Sequence, residues 1–305
     1  MDIQTTNNLL RLNAETNKYT THGRYELSLI DDKTLEVSYV GSSRGFYAEL
    51  TLAARGVLAF YSLYFAKFRE LNLRINCSRA WTDFTPPGIP DLYPILYKRD
   101  LNVEFIQYPN FQTILNDNGA SNRIYKDLDL RQLNNLYSHH YCMSDEQQIY
   151  YNVLINKYKL DYDNLVGVWY RGTDKGTELT LADPLQYVRL AEQIISQDSK
   201  LKILIQSDQQ QVVELFKNTF KDRCFFFDEM PTTSGTKGYH KIIKNEEKVQ
   251  FVKTLDICTR ILANCKYLIN HTGNVAFVIQ VHRNNTENMW QFDRTGTLIV
   301  PANVS

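Results

Sequence analysis

From residue 165 to residue 292 the sequence alternates short apolar runs with longer amphipathic ones, and this alternation constrains the fold more than any other feature. LVGVWY, LKILIQS, CFFF, KYLIN and NMWQF read as strands, and PLQYVRLAEQIIS, DQQQVVELFKNTF, NEEKVQFVKTLDICTRILANC and GNVAFVIQVH read as the helices between them. Pro184 suits the first turn of its helix, because the N–H it lacks has no intrahelical partner there. Asp208 can cap the next helix. Apolar strands alternating with helices imply a parallel sheet covered on both faces. In such sheets ligands bind beyond the carboxyl ends of the strands.

The first 160 residues are less regular. YELSLI and LEVSYV flank Asp31-Asp32-Lys33 as a hairpin. ELTLAARGVLAFYSLYFAKFRE has apolar residues at helical spacing and reads as a long, largely buried helix. LNLRIN and LNVEFIQY read as strands, separated by the proline-rich loop TPPGIPDLYP. SDEQQIYYNVLINKY reads as a helix opened by Ser144. DYDN then marks a boundary near residue 160. A chain of 305 residues exceeds what one core usually organises, so two domains are expected, 1–160 and 161–305.

Composition excludes several classes. The formal net charge is zero, which gives no broad attraction to nucleic acid or to an anionic membrane. Hydrophobic residues at 43% and charged residues at 22% are ordinary for a soluble globular protein. The five cysteines are scattered, odd in number and without a CxxC, which argues for reduced thiols over a disulfide framework or structural zinc. The start, MDIQTTNNLLRLN, lacks the basic segment and apolar run of a signal peptide. GVLAFYSLYFAKF is too short to span a bilayer. A cytoplasmic protein without a membrane span is expected.

The chemistry gathers at strand ends. In VGVWYRGTDKGTE, Arg171 is the first residue past a strand, where a guanidinium can grip phosphate oxygens with a bidentate fork. Gly172 allows close backbone approach. Asp208 ends the next strand. His271, Thr272 and Gly273 end another, just before a helix whose amino terminus favours an anion. Together they form a nucleotide-type site without a P-loop or GxGxxG. Singly, each has a plainer reading: a surface ion pair for Arg171, a helix cap for Asp208, a solvated helix face for Asp256. Asp161-Tyr-Asp163 and Asp127-Leu-Asp129 have the DxD spacing of metal-dependent transferases, a short motif with many chance matches.

GVWYRGTDKGTE resembles the GVHVRRTDKVGTE signature of α1,6-fucosyltransferases and, more loosely, the patterns of nodulation and protein O-fucosyltransferases. IQSDQQQVV stands where that family has a strand ending in aspartate. TLDICTRILANCKYLINHTGNVAFVI resembles its helix, strand and turn into a further helix. SSRGFYAELTLAARGVLAFYSLYFAKF is similar to the glycine-rich turn and long helix of its first domain.

The resemblance implies a GT-B-like α/β fold of two Rossmann-like domains facing a cleft, with the acceptor on the first domain and the nucleotide sugar on the second. It assigns donor diphosphate binding to Arg171, the acidic and basic signature positions to Asp174 and Lys175, and the catalytic glutamate to Glu178. It places Asp256 at the guanine edge and Thr272 and Gly273 against the phosphates. Gly45 and Phe46, in the first-domain turn, join Asp208 and His271 among the nucleotide-sugar contacts. Gly172 stands where the family has a second arginine, Trp169 where it has a histidine, and HTGN where it has a serine-rich turn.

The implied reaction is inverting transfer of L-fucose from GDP-fucose to a glycan hydroxyl. Glu178 is the general base, with Glu49 the alternative, and neither cofactor nor metal takes part. Two other readings stay open. One is the same fold with a rhamnose, mannose or xylose donor. The other is a non-catalytic glycan- or nucleotide-binding protein.

Overall fold

The computed structural model describes residues 24–31, 33–40, 45–47, 50, 72–100, 102, 130–173, 176, 180–235 and 237–299. The chain divides into two compact units, Met1–Asn118 with Asn135–Gln148, and Gly119–Asn134 with Ile149–Ser305.

In the first unit, β1 (Arg24–Leu29) and β2 (Thr34–Val40) form the expected antiparallel hairpin, with Leu29 opposite Leu35. Its turn is held by Lys33 N–H donating to Asp31 Oδ1 at 2.8 Å. β3 (Asn72–Arg79) adds in parallel to β2. The alternation of these strands buries Leu35, Val37, Tyr39, Leu73, Ile75 and Cys77 on one face. On the other, the Glu36 carboxylate accepts from Ser38 and Asn76 and pairs with Arg74 at 3.3 Å. The long helix expected over 49–70 and the strand over 101–108 lie outside the described residues, apart from Leu50 and Asn102.

A short helix α1 (Tyr93–Leu96) runs into β4 (Tyr97–Lys98), which pairs antiparallel with β5 (Cys142–Met143). Tyr93, Tyr97, Tyr137 and Tyr141 pack together there with ring centroids 5.4 to 6.0 Å apart. Helix α2 (Leu130–His140) was not expected from the sequence, while α3 (Asp145–Tyr158) was. Ser144 Oγ accepts from Gln147 N–H at 3.2 Å, as a capping serine does.

The second unit follows the alternation. β6 (Leu165–Tyr170), α4 (Pro184–Ile195), β7 (Lys202–Ser207), α5 (Gln210–Phe220) and β8 (Cys224–Phe225) come first. α6 (Lys248–Asn264), β9 (Tyr267–His271), α7 (Asn274–Arg283), β10 (Met289–Phe292) and β11 (Leu298–Ile299) complete it. The strand order is β11-β10-β9-β6-β7-β8, parallel except for the antiparallel edge strand β11, which was not anticipated. The chain winds outward from β6 to β8, then returns to β9 on the other side of β6. The topological switch therefore lies between β6 and β9, where doubly wound sheets place their ligands.

Right-handed crossovers put α4 and α5 on one face and α6 and α7 on the other. A methyl at Gly167 would meet Leu262 of α6 and Cys265 just past its end at 3.0 to 3.2 Å, while Tyr170, of opposite alternation, packs its ring against Tyr187 of α4 at 5.1 Å. Two arginines staple the amino end of the sheet. Arg223 donates to the carbonyls of Ile195, Asp198 and Leu201, and Arg283 to those of Ala263, Cys265, Lys266 and Glu287. The carboxyl end is left to the loops that carry the candidate site.

Candidate functional site

Three strand ends meet at the switch. Past β6, the Arg171 N–H donates to His271 Nε2 at 3.1 Å. His271 closes β9, and its Nδ1 donates to the Thr272 carbonyl at 2.6 Å. A ring nitrogen facing an N–H must accept and one facing a carbonyl must donate, so these bonds select the neutral Nδ1–H tautomer. The histidine ties the ends of the two strands that flank the switch.

Past β7, Asp208 ties the same loop from the other side. Its Oδ1 accepts from Gly172 N–H at 3.1 Å, its Oδ2 accepts from Thr173 Oγ1 at 2.5 Å, and the Arg171 Nε lies 3.7 Å from Oδ2. Asp208 therefore does not cap α5. The N-cap is Gln209, with no side-chain capping bond. The parallel register Tyr170–Ser207 sets Asp208 beside Arg171, and the carboxylate turns toward the loop. Beyond it, Asp208 O accepts from Thr233 N–H at 2.9 Å, which fastens the loop after β8 to the same edge.

Gly273 follows Thr272 at φ 155°, ψ 169°, a conformation essentially restricted to glycine, and opens α7 without a side-chain cap. The first N–H groups of a helix have no carbonyl partner within it, and the aligned peptide dipoles add partial positive charge. Arg171 and the amino end of α7 thus sit on adjacent strand ends, an arrangement of the kind that can hold an anion. The Arg171 side chain is 23% exposed. Burial, then the nearby carboxylates of Asp183 and Asp208, push the Tyr170 phenol up to about 12, so it stays a neutral donor, 3.5 Å from the Ala182 carbonyl.

The other expected site residues are distributed as follows. Asp174, Lys175 and Glu178, and the alternative base Glu49, lie outside the described residues. Asp256 sits midway along α6 with no exposed surface, and its Oδ2 accepts from Arg260 Nε at 2.9 Å, one helical turn on. The solvated-face reading of Asp256 is thereby corrected: that side of α6 packs inward. In the first unit, Phe46 is 3% exposed, stacked on Trp81 with centroids 5.2 Å apart, and its carbonyl accepts from Trp81 Nε1–H at 3.1 Å. A methyl at Gly45 would touch nothing within 4 Å. Asp161 and Asp163 precede β6, at the opposite end of the strand from Arg171, and Asp161 Oδ2 accepts from Asn164. Among the described residues no cluster of His, Cys, Asp and Glu has the form of a metal site.

Sequence reasoning missed Thr173, which completes the tie to Asp208, and a row of buried carboxamides. Gln206 and Asn270 are fully buried, and their side-chain nitrogen and oxygen atoms have no protein hydrogen bond among the described residues. Gln206 is paired with Trp169 in the sheet, and Asn270 with the buried Gln291. The signal was a polar residue near the carboxyl end of an otherwise apolar strand, in LKILIQS, KYLINH and MWQF.

No family model matches this chain, and no curated protein sequence matches it. Solved structures do. The α-1,6-fucosyltransferase NodZ co-crystallised with GDP shares 13% identity over 88% of this chain and 94% of its own, with a TM-score of 0.50. NodZ soaked with GDP-fucose shares 14% identity over 88% and 95%, with a TM-score of 0.51. NodZ from Bradyrhizobium matches over 88% and 95% at 13% identity, with a TM-score of 0.49. The chain has the fold of these fucosyltransferases, a GT-B-type α/β architecture. Among the described residues no helix is long and apolar enough to cross a membrane.

Proposed function

We propose that this protein is an inverting glycosyltransferase that transfers L-fucose from GDP-fucose to a glycan hydroxyl. The observation that carries the reading is the junction at the topological switch, where His271 and Asp208 hold Arg171 beside the amino end of α7. That is a diphosphate seat built from one guanidinium and a helix terminus. The NodZ structures with GDP and GDP-fucose share the fold and supply the chemical class.

In this reading the acceptor oxygen bonds to the anomeric carbon as the bond from that carbon to the β-phosphate oxygen breaks. GDP leaves with the electron pair, and the hydroxyl proton passes to Glu178. Lys175 tunes the charge of that base. Arg171 and α7 stabilise the charge that builds on the departing diphosphate, in place of a metal. Asp256 is the residue that the resemblance assigns to the N1–H and amine of guanine, and its carboxylate, buried and held by Arg260, must be uncovered for the base to reach it. Residues 1–160 present the acceptor. The five free cysteines accord with a reducing compartment such as the cytoplasm.

A thermal-shift panel of GDP, UDP and ADP, followed by transfer assays, tests the reading. A ligand that binds only the folded state raises the melting temperature with the logarithm of its excess over Kd. GDP is expected to give the largest shift, and a larger one with UDP would overturn the guanine assignment. Glu178→Gln is expected to bind GDP as the parent does and to transfer at least about a hundredfold more slowly, the lower scale for a lost general base. Transfer abolished by EDTA and restored by manganese would overturn the metal-free scheme.

A further inference from the structure

The chain leaves β6 through Arg171–Thr173 and is held again at Thr180, and different devices hold these two limbs. His271 and Asp208 hold the first limb, Arg171–Thr173. The turn between β10 and β11 holds the second. Thr180 N–H donates to the Arg294 carbonyl at 3.0 Å. Gly296, at φ 77°, faces the main chain of Ala182, where a methyl would make ordinary contact at 3.4 Å from the Ala182 nitrogen.

The turn is organised by one side chain. Asp293 Oδ1 accepts from Thr295 N–H at 2.8 Å, Thr295 Oγ1 at 2.7 Å and Thr297 N–H at 3.0 Å. The Asp293 N–H donates to the Thr297 carbonyl at 2.9 Å. β10 lies beside β9 in the register Phe292–His271, and Thr272 N–H donates to the Phe292 carbonyl at 2.8 Å. Both anchors of the loop therefore stand on the carboxyl edge of one sheet.

We infer that the Asp293–Thr297 turn is a positioning element for the loop that follows β6, fixing the chain at Thr180–Ala182. Asp293 is a positioning residue that acts through its acceptor oxygen and need not touch substrate. The catalytic consequence rests on the glycosyltransferase reading above. The mechanical claim does not.

Asp293→Ala removes the acceptor, and Asp293→Asn keeps an oxygen in its place. Thr180→Pro deletes the N–H that reaches Arg294 and leaves the turn intact, so it serves if Asp293→Ala fails to fold. The measurements on the protein are transfer kinetics with GDP-fucose, GDP affinity by calorimetry, hydrogen exchange at residues 180–182, and the rate of tryptic cleavage after Lys175. For Asp293→Ala and Thr180→Pro we expect kcat to fall tenfold or more, on the scale of roughly a hundredfold known for misplacement by about 1 Å. GDP affinity should stay within about twofold on the same argument, because the first limb is untouched. Cleavage after Lys175 and exchange at 180–182 should both quicken. Asp293→Asn should resemble the parent in all four. Parent-like exchange and cleavage in Asp293→Ala would overturn the inference whatever the activity. Loss of activity in Asp293→Asn equal to that in Asp293→Ala would also overturn it, since the charge would then be what acts. If the parent transfers no sugar, the glycosyltransferase reading falls, and exchange and cleavage alone decide whether the turn holds the loop.

Discussion

Arg171 and His271 are a hundred residues apart in sequence and joined by a hydrogen bond, from the main-chain N–H of one to the imidazole Nε2 of the other at 3.1 Å. The bond spans the boundary between β6 and β9, where the direction of winding reverses. The bond is made by the Arg171 main chain, while its Nε lies 3.7 Å from Asp208 Oδ2.

His271→Phe keeps the ring and deletes both of its ring-nitrogen bonds. It leaves the Arg171 N–H and the Thr272 carbonyl to find other partners in a site where His271 is only 4% exposed. Each buried group left unsatisfied costs about 1–3 kcal/mol. We expect the variant to fold with a loss of about 2–4 kcal/mol in denaturant unfolding, and to bind GDP more weakly. Parent-like stability would show that the imidazole bonds do not hold the strand ends together.

Arg171 itself separates a phosphate role from a structural one. Arg171→Lys keeps the charge and loses the bidentate fork. Its contact with Asp208 is a 3.7 Å approach between partly exposed groups, a weak source of stability. We therefore expect Arg171→Lys to lose much of the transfer activity and Arg171→Ala nearly all of it, with melting temperatures close to the parent. Variants that melt early but keep their turnover per folded molecule would mark Arg171 as a structural ion pair.

Much of this arrangement was legible before the structure, and the exceptions share a cause. The strand–helix order from Leu165 to Phe292 follows from local periodicity, and so does the placing of Arg171, Asp208 and Thr272 at carboxyl ends. The use of Asp208 did not follow. Its neighbours in sequence suggest a cap, and only the Tyr170–Ser207 register brings Gly172 and Thr173 within its reach. The bridging role of His271 likewise depends on a contact across the switch. Helix α2 was readable in principle, since Leu130, Leu133, Leu136, Tyr137 and His140 are buried at helical spacing, but its polar intervening residues mask the pattern. In CFFF only Cys224 and Phe225 pair with β7, and the next two rings leave the ladder to fill the core. Periodicity reports burial, and it does not report which backbone the buried residue bonds to.

Acid should loosen a second fastening, at the end of α3. Lys157 Nζ and Tyr158 OH both donate to the Glu229 carboxylate, at 2.6 and 2.7 Å. Burial alone would raise the Glu229 carboxyl, but the hydrogen bonds from Lys157 and Tyr158 outweigh it and hold the group below its usual range. A depressed folded pKa contributes stability above the unfolded value of roughly 4.3 and loses it as pH falls through the folded one. The Lys157 ammonium is raised chiefly by its bond to Glu229, so its part is present below about 10.4 and is lost only in strong alkali. We expect Glu229→Gln to melt earlier than the parent at pH 7, with the gap closing below about pH 4. A gap of constant size down to pH 3 would show that the ionised carboxylate is not what fastens α3 to the loop after β8.

The narrowest point of the site is Gly172, and it tests whether packing sets the position of Arg171. A methyl at that position would fall 2.1 Å from Gln209 Oε1 and 2.7 Å from Tyr170 Cε1. The glutamine is the far end of a flexible side chain and can swing away. The tyrosine ring is 3% exposed, packed edge-on against Tyr187 and facing His271, and cannot. The remaining relief is a shift of the main chain at 171–173, which lengthens the Gly172 bond to Asp208 and moves Arg171 with it. The second arginine of the fucosyltransferase signature therefore has no room in this chain without a different neighbour at 209 and a moved ring at 170. Overpacking of this kind costs about 1–3 kcal/mol. We expect Gly172→Ala to lose about that much stability and to bind GDP roughly tenfold more weakly, the factor that corresponds to about 1.4 kcal/mol. Gln209→Ala alone should resemble the parent. The double variant should recover only part of the loss, because the clash with Tyr170 remains. Full recovery in the double variant would show that Gln209 alone sets the fit, and Gly172→Ala with parent-like unfolding and GDP titration would show that close packing at this glycine does not place the arginine.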